Sequence, residues 1–425
     1  MKKLLYLLVF IVFACHSPKK QDESKMLTPA ETLKQKIDQI AKNHDLMGLS
    51  LAIVLKNQTV YEQYLGFADS ARKVKIDPQT AYRIASVSKT ITATALLKLY
   101  EKGLFKLDED VNKYLGFSLR NPKFPKTPIT FRMLLTHTST VNDGTGYGDF
   151  LGEAYKTDPP ANISELFTPK SKFFTEDMFL DKEPNTYFSY SNPAFGIMGT
   201  LVERISKERF DVFCRKNILE PLQMKASFNI EDLDVNHLAV LYRKTDSTGW
   251  TPQFENHEGK KPEARKLDKY VIGSNGAIFS PQGGLRCSAP DLIKFMLMHA
   301  NNGTYNNTQI LQDSTANLMH QTHYNYDGKN GNMVDMPFQT WGLGFHLLSN
   351  TPKIDVVFET TKLIGHSGDA YGLFSGMYFD KNTKNGFVFM TNGIGKGVQK
   401  GRKTNFTLFE EEIFGAVEEF VKTYR

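Results

Sequence analysis

The sequence predicts an α+β protein, an α/β sandwich in which both chain ends contribute strands to one antiparallel sheet. Near the N-terminus, an apolar and β-branched run at 49–55 is followed by a turn and a second strand-like run at 59–65, the pattern of a β-hairpin. Near the C-terminus, strand-like runs at 373–379 and 387–391 flank turn-forming residues. Because the intervening sequence is mostly helical in periodicity, we expect residues from roughly 90 to 320 to form an inserted helical subdomain.

Helices are predicted to flank this sheet at both ends of the chain. Thr28, Pro29 and Glu31 supply an N-cap, a first-turn proline and a capping-box glutamate. The apolar residues that follow recur at helical spacing, and they are Leu33, Ile37, Ile40 and Ala41. A final helix has a similar apolar side, made of Phe409, Ile413, Val417, Phe420 and Val421. A ligand site is expected at the seam between the sheet and the helical part, where pockets commonly form.

Composition excludes several classes of protein. Apolar residues make up 40% of the 425 residues and charged residues 23%, which is ordinary for a folded domain and argues against disorder. The formal net charge is +6, but basic and acidic residues are interspersed, so no nucleic-acid partner is expected. His320 and His323 have a metal-like spacing without a third ligand nearby, so we expect no metal and no other cofactor.

The first residues have the character of an export signal. Two lysines precede an apolar run at 4–14, which is shorter than the roughly 20 residues that a spanning helix needs. The run ends in Val-Phe-Ala-Cys at Cys15, which resembles a bacterial lipobox. We therefore expect residues 1–25 to be a lipoprotein signal peptide and tether, with lipidation at Cys15. This places the protein in the bacterial cell envelope, anchored to the membrane by lipid and either periplasmic or associated with the outer membrane. A plain secretory signal is the alternative.

Two further cysteines, Cys214 and Cys287, are too few to be a disulfide framework in a chain of this length. Their surroundings contain no feature that activates a thiol. We expect both to be small buried residues. The sequence leaves open whether they pair.

The first candidate for chemistry is Ser86, with Lys89 three residues later at the start of an apolar helical run that ends at Gly103. Unpaired N–H groups at a helix start favour negative charge on oxygen. A serine hydroxyl needs a neighbour to take its proton, and a lysine can do so if burial lowers its pKa. The spacing alone is weak evidence, since Ser17 and Lys20 repeat it in the expected tether.

The second candidate pair is Tyr190 and Asn192, which lie just before Pro193 and a predicted helix. A phenol in such a loop can carry protons between the nucleophile and a leaving group. The amide can orient both the substrate and Lys89. A loop followed by a helix is a suitable place for a site.

The third candidate segment is His366, Ser367 and Gly368, followed by Asp369. Small residues let the backbone of a strand approach a substrate closely. The N–H groups of this segment can therefore supply a second oxyanion donor, opposite the N–H of Ser86.

Together, Ser-Val-Ser-Lys at 86–89, Tyr-Ser-Asn at 190–192 and His-Ser-Gly at 366–368 resemble the motifs of the serine β-lactamase and penicillin-binding superfamily. The similarity is to its class C-like branch, which includes D-alanyl-D-alanine carboxypeptidases, D-aminopeptidases and class VIII-type esterases. Further segments look like family segments, among them Tyr-Arg-Ile-Ala-Ser at 82–86 and Leu-Leu-Thr-His-Thr-Ser at 134–139. Because the resemblance runs from residue 30 to the C-terminus, it implies a single β-lactamase-related serine hydrolase domain over residues 26–425.

The resemblance implies a role for each motif residue. Ser86 would form an acyl-enzyme, and Lys89 and Tyr190 would share the acid–base work. Asn192 would contact the substrate. The oxyanion hole would be made by the backbone N–H groups of Ser86 and Asp369.

The sequence departs from the family pattern at two positions. Many β-lactamases of the superfamily have a lysine where this chain has His366, and a histidine is mostly neutral at pH 7. The departure weakens the case for potent β-lactam hydrolysis. The histidine version of the motif resembles that of the peptidase and esterase members. Thr140 stands where the family usually has glycine, and we interpret it as a loop variation without mechanistic weight.

The sequence therefore predicts an exported serine hydrolase that works through an acyl-enzyme. Its expected substrates are D-amino-acid peptides, such as peptidoglycan stem peptides, or small esters and amides. Two alternatives stay open: a β-lactamase proper, and a penicillin-binding-like protein that binds or scaffolds without turnover. The sequence does not settle the oligomeric state.

Overall fold

A computed structural model describes residues 27–424, so the predicted signal peptide, tether and Cys15 lie outside the described residues. The described chain contains eleven α-helices: α1 Pro29–His44, α2 Ser88–Glu101, α3 Asn112–Leu115, α4 Phe131–Leu135, α5 Gly146–Ala154, α6 Ser164–Phe167, α7 Asn192–Ser206, α8 Phe210–Cys214, α9 Ala289–Ala300, α10 Asp313–Met319 and α11 Leu408–Thr423. None of the helices between residues 27 and 424 is long and apolar enough to cross a membrane.

Fifteen strands accompany these helices in the same part of the chain: β1 Gly48–Leu55, β2 Gln58–Asp69, β3 Val74–Lys75, β4 Tyr82–Arg83, β5 Leu241–Thr245, β6 Gly249–Phe254, β7 Arg286–Cys287, β8 Thr304–Tyr305, β9 Thr308–Gln309, β10 Tyr324–Asn325, β11 Thr340–Trp341, β12 His346–Leu347, β13 Ile364–Ala370, β14 Leu373–Phe379 and β15 Gly386–Thr391.

Nine of the strands form one antiparallel sheet in the order β10-β11-β12-β13-β14-β15-β1-β2-β3. In its centre β1 pairs with β15, where Ala52 lies opposite Val388, and on its other side β1 pairs with β2. The two ends of the chain therefore meet within one sheet. The α+β prediction is confirmed, including the antiparallel sheet built from both termini.

Both faces of the central strands are buried, because alternate side chains of a strand point to opposite sides. On β1, Leu49, Leu51 and Ile53 belong to a core cluster with apolar residues of α1 and α11. Ala52 and Val54 belong to the cluster on the opposite face. The terminal helices flank the sheet as predicted, and the Thr28–Glu31 capping box that starts α1 is present.

The other face of the sheet is covered by a helical layer that includes α2, α7 and α9. Ten consecutive residues of α2, from Ser88 to Leu97, are buried, so this helix lies inside the protein rather than at its surface. Cys214 and Cys287 are free, buried thiols in the same layer, in agreement with their interpretation as small buried residues. Burial raises the pKa of both thiols and keeps them protonated.

Candidate active site

Ser86 lies between β4 and α2, in a single turn of 3-10 helix at Ala85–Val87. Ser86 was expected to lie at the N-terminus of the long helix. It instead lies in the 3-10 turn just before that helix, since α2 begins at Ser88. Ala85 has φ +45°, in the left-handed region that is unfavourable for residues with a side chain. Backbone strain is thus located directly beside Ser86.

The strand that carries the third motif packs against this turn. Ser375 Oγ on β14 donates a hydrogen bond of 2.9 Å to the carbonyl oxygen of Ile84. On β13, a Cβ at Gly368 would lie 2.7 Å from that same oxygen and 2.5 Å from Ser375 Oγ, closer than side-chain atoms approach. A glycine is needed here for close approach, as the sequence indicated for the segment.

Lys89 is completely buried, and its ammonium group is held by three neighbours. Nζ lies 3.2 Å from Ser86 Oγ, and it donates hydrogen bonds of 2.8 Å to Asn192 Oδ1 and 2.7 Å to the carbonyl oxygen of Gln282. Burial lowers the pKa of Lys89 to about 7, against an opposing effect of the Asp143 carboxylate. Lys89 can therefore be neutral near pH 7 and accept a proton from Ser86.

The Gln282 carbonyl is positioned by bonds between its loop and α2. Thr92 Oγ1 donates to the carbonyl oxygen of Pro281 at 2.7 Å, and Ser88 Oγ accepts from the N–H of Leu285 at 3.1 Å. These two bonds fix the loop on both sides of Gln282. Sequence reasoning missed this acceptor, because a backbone carbonyl has no residue-type signature.

Asp143 is a positioning residue that the sequence did not single out. Its two carboxylate oxygens accept from the backbone N–H and the side-chain Nδ2 of Asn192, both at 2.7 Å. Because the amide nitrogen is held by Asp143, the amide oxygen is turned towards Lys89. Asn192 is the first residue of α7, whose N-cap is Ser191. Burial raises the pKa of Asp143, which the bonds from Asn192 and the charge of Lys89 partly offset.

We expect Asp143→Asn to lower kcat/KM by about ten- to hundredfold, the order of one lost hydrogen bond to a charged group. The variant also removes the negative charge that favours protonated Lys89. The acidic inflection of the kcat/KM–pH profile should consequently move to lower pH. Asp149→Asn, at an exposed position of α5, is the matched control and should alter neither quantity. An unshifted inflection in Asp143→Asn would contradict the assigned role.

The ring of Tyr190 is stacked on His137, with centroids 4.4 Å apart, and Lys89 Nζ lies 4.7 Å from the Tyr190 ring centroid. His137 Nδ1 accepts a hydrogen bond of 3.0 Å from the N–H of Ser191. Burial and the Lys89 charge hold the pKa of His137 well below its usual value, so it stays neutral. Burial raises the pKa of Tyr190, which keeps the phenol protonated and able to donate.

His366 on β13 is 1% exposed, and its ring centroid lies 4.0 Å from that of His346. Burial, together with the charge of Lys89, lowers the pKa of His366 to about 3. The imidazole is therefore neutral at physiological pH. No fixed cation stands at this position of the third motif.

Thr140 has φ +65°, which explains why glycine suits this position. Its Oγ1 accepts a hydrogen bond of 3.0 Å from Asn121 Nδ2 within a buried loop. The threonine is accommodated in a left-handed conformation and adds a bond that glycine cannot make.

Ser86 lies at the meeting point of two cavities. The Tyr190-side cavity, of about 330 Å³, is lined by Ser86, Tyr190, His366, Gly368 and apolar residues such as Phe338 and Phe406. The Asn192-side cavity, of about 300 Å³, is lined by Ser86, Asn192, Gln282, Ala370 and Tyr371, among others. Asp369 also lines both cavities. Within residues 27–424 no group of three or more histidine, cysteine or carboxylate side chains is placed to hold a metal ion.

The fold is of the β-lactamase type, with a helical layer packed against one large antiparallel sheet. Residues 33–406 match the β-lactamase family model, and the chain belongs to that family. A curated relative is the protein flp of Staphylococcus aureus strain N315, 29% identical over 220 residues. That match covers 50% of this chain and 42% of flp, so less than half of the relative is represented.

Two solved structures have the same fold. EstCE1, described as a hydrolase with promiscuous acyltransferase activity, superposes with a TM-score of 0.66 at 20% identity, covering 92% of this chain and 99% of EstCE1. The D-amino acid amidase of Ochrobactrum anthropi SV3, in complex with D-phenylalanine, gives a TM-score of 0.61 at 19% identity over 92% of this chain and 98% of the amidase.

Proposed function

We propose that this protein is an exported, lipid-anchored serine hydrolase that forms an acyl-enzyme on D-amino-acid peptides or on small esters and amides. The observation that carries the proposal is the placement of Lys89, with a pKa of about 7, 3.2 Å from Ser86 Oγ and beside Tyr190. A serine becomes a nucleophile when a neutral base stands within hydrogen-bond reach of its hydroxyl.

In the acylation step, neutral Lys89 takes the proton of Ser86 as Oγ attacks the substrate carbonyl carbon. The carbonyl oxygen becomes an oxyanion, for which the backbone N–H groups of Ser86 and Asp369 are the proposed donors. The tetrahedral intermediate then collapses and breaks the bond to the leaving group. Tyr190 donates its proton to the leaving nitrogen or oxygen and is reprotonated from Lys89.

Deacylation uses the same groups in the opposite order. A water takes the place of the leaving group, gives its proton through Tyr190 to Lys89, and attacks the acyl carbon. Collapse of the second intermediate releases the acid, and Ser86 recovers its proton. Because Tyr190 borders one cavity and Asn192 the other, the leaving group belongs in the Tyr190-side cavity and the acyl group in the Asn192-side cavity.

The character of His366 supports peptide, amide and ester substrates over β-lactams. A neutral imidazole with a pKa of about 3 offers no permanent charge to a β-lactam carboxylate. The common fold with a D-amino acid amidase is consistent with amide substrates. The substrate is best found with a panel of D-aminoacyl amides, D-Ala-D-Ala peptides, 4-nitrophenyl esters and nitrocefin, in which nitrocefin should be the poorest.

A fluorophosphonate probe tests the nucleophile directly. We expect wild-type protein to be labelled once, with the modified peptide containing Ser86, and Ser86→Ala to remain unlabelled. Ser118→Ala, at an exposed serine, serves as the matched control and should label like wild type. Equal labelling of Ser86→Ala and wild type would refute the proposal.

The anchor is proposed from the sequence around Cys15, which lies outside the described residues. In cells that express the full chain, labelled palmitate should enter the wild-type protein, and the protein should sediment with membranes. Cys15→Ala should abolish both. Palmitate incorporation that persists in Cys15→Ala would rule out lipidation at this residue.

A further inference from the structure

Beyond the Asn192-side cavity lies a larger space of about 530 Å³, here called the arginine cavity, whose wall includes Arg83, Arg265, Arg286, Phe254 and Tyr371. The two spaces share Arg83, Gln282 and Tyr371 as lining residues, so they adjoin. Three of the residues that line the arginine cavity are arginines, and none of those described is acidic. Because it adjoins the Asn192-side cavity, which Ser86 lines, the arginine cavity lies on the far side of that cavity from Ser86.

One of the three arginines is already neutralised. Arg286 is 8% exposed and donates from Nε and Nη2 to Glu255 Oε1, at 2.9 and 2.7 Å. Its remaining nitrogen donates to the carbonyl oxygens of Phe228 and Gly284. Glu255 in turn is shared with His257. Glu255 is thus engaged by the side chains of both Arg286 and His257.

Arg83 differs, because within residues 27–424 it has no ion-pair partner. Its Nε donates to the carbonyl oxygen of Gly283 at 3.0 Å, which leaves both terminal nitrogens of the fork unpaired in the described structure. The guanidinium packs against two rings, 4.5 Å from the centroid of Phe254 and 5.4 Å from that of Tyr371. Burial and the neighbouring Arg286 charge lower the pKa of Arg83, against opposing effects of Tyr155, Tyr371 and Glu255.

Arg265 is also half-buried and forms no ion pair among the described residues, although the Glu231 and Asp211 carboxylates lie near enough to affect its pKa. One of its terminal nitrogens donates to the carbonyl oxygen of Ile278, and the guanidinium lies 4.8 Å from the ring centroid of Tyr155. The guanidinium groups of Arg83 and Arg265, each fixed by a backbone carbonyl but without an ion-pair partner among the described residues, therefore both line the arginine cavity. A planar guanidinium fork matches the geometry of a carboxylate, and pairing is strongest where water is partly excluded.

We propose that the arginine cavity binds a carboxylate on the acyl part of the substrate, through Arg83 and Arg265. This inference rests on the proposed function, because it takes Ser86 as the acylated residue and Tyr190 as the proton donor on the leaving-group side. The preferred substrates are then acyl groups that end in an anion, such as the acidic side chain of a peptide or a dicarboxylic acid monoester.

The test compares two 4-nitrophenyl esters with the same leaving group and similarly sized rigid acyl groups, the 4-carboxybenzoate and the 4-methylbenzoate. Wild-type kcat/KM should favour the carboxylate by about tenfold or more, as expected for a charge-assisted bidentate contact. Arg83→Gln and Arg265→Gln should each reduce this ratio, and the double variant should bring it to about one. Arg215→Gln, at a surface arginine paired with Glu220, is the control and should keep the wild-type ratio.

Two outcomes of the ester comparison overturn the inference: a wild-type ratio of one or less, or a preference that persists in the double variant. Calorimetry can also measure binding of free terephthalate to the Ser86→Ala protein. This measurement requires no turnover, and it does not depend on whether the Arg83→Gln variant folds correctly. Absence of saturable binding there also overturns it. Failure of the proposed function looks different, because then neither ester is hydrolysed and the fluorophosphonate leaves wild-type Ser86 unmodified.

Discussion

Replacing Lys89 by methionine should lower kcat/KM by about a thousandfold or more while leaving the protein folded, since general-base catalysis contributes on the order of 10² to 10⁴. The rate should fall because Ser86 then has no neighbour able to take its proton. The fold should survive because methionine has a similar shape, at a cost in stability of about 1–3 kcal/mol for each of the two acceptors, Asn192 and Gln282, that lose their donor. Steady-state kinetics and a thermal melt of the same preparation separate the two effects.

Lys98→Met is the matched control on α2. Its ammonium group is partly buried and donates to the carbonyl oxygen of Ile310 at 2.6 Å, away from Ser86. It should have wild-type kinetics. Activity within about tenfold of wild type in Lys89→Met would show that another group acts as the base.

The same residue sets the pH dependence. Only the neutral amine can accept a proton, so activity requires deprotonated Lys89, whose pKa is about 7. The value of kcat/KM should therefore rise with pH through about 7 and level off above it. A profile that is flat between pH 6 and about 8 would contradict this assignment.

Gly368→Ala is expected to have the second large effect, a loss of activity of at least about a hundredfold, because a displacement of about 1 Å at a catalytic site costs this much. The added Cβ would lie 2.5 Å from Ser375 Oγ, 2.7 Å from the Ile84 carbonyl oxygen and 3.1 Å from the Ala85 Cβ. Two of these atoms belong to the turn that carries Ser86. The methyl group must push β13 away from that turn and widen the proposed oxyanion hole.

Gly415→Ala on α11 is the control, since a Cβ there meets nothing within 4 Å and should leave activity unchanged. The Gly368→Ala protein should retain most of its stability and still react slowly with the fluorophosphonate, which measures the damage to Ser86 separately. Wild-type turnover by Gly368→Ala would show that the close approach of β13 is not required.

The parts of the fold whose apolar residues recur with a clear helical or strand spacing were predictable from the sequence. The run at 373–379 is β14 to the residue, and the hairpin at 49–65 is β1 and β2, with β2 continuing to Asp69. Two-residue strands such as β10, β11 and β12 are too short to show any period. They depend on the neighbouring strands of the sheet rather than on their own sequence.

The motif residues were predictable for a similar reason, since Ser86 and Lys89 are one turn apart and each further motif precedes or forms a regular element. Asp143 was missed because a lone aspartate in a polar loop has the same appearance as any turn residue. The arginine cavity was missed because its wall comes from segments as far apart as Arg83 and Tyr371. No local pattern records that such residues meet.

The pairing of β1 with β15 has a consequence for how the protein forms. On one side, the strand at residues 48–55 pairs with residues 386–391, which lie more than three hundred positions later in the chain. This pairing can form only after those residues have been synthesised. Contacts this distant slow folding, and until they form, the apolar edge of the N-terminal hairpin stays open to other chains. The last strands therefore act as the closing step of folding, and a ribosome-bound or C-terminally shortened chain should rely on chaperones to avoid aggregation.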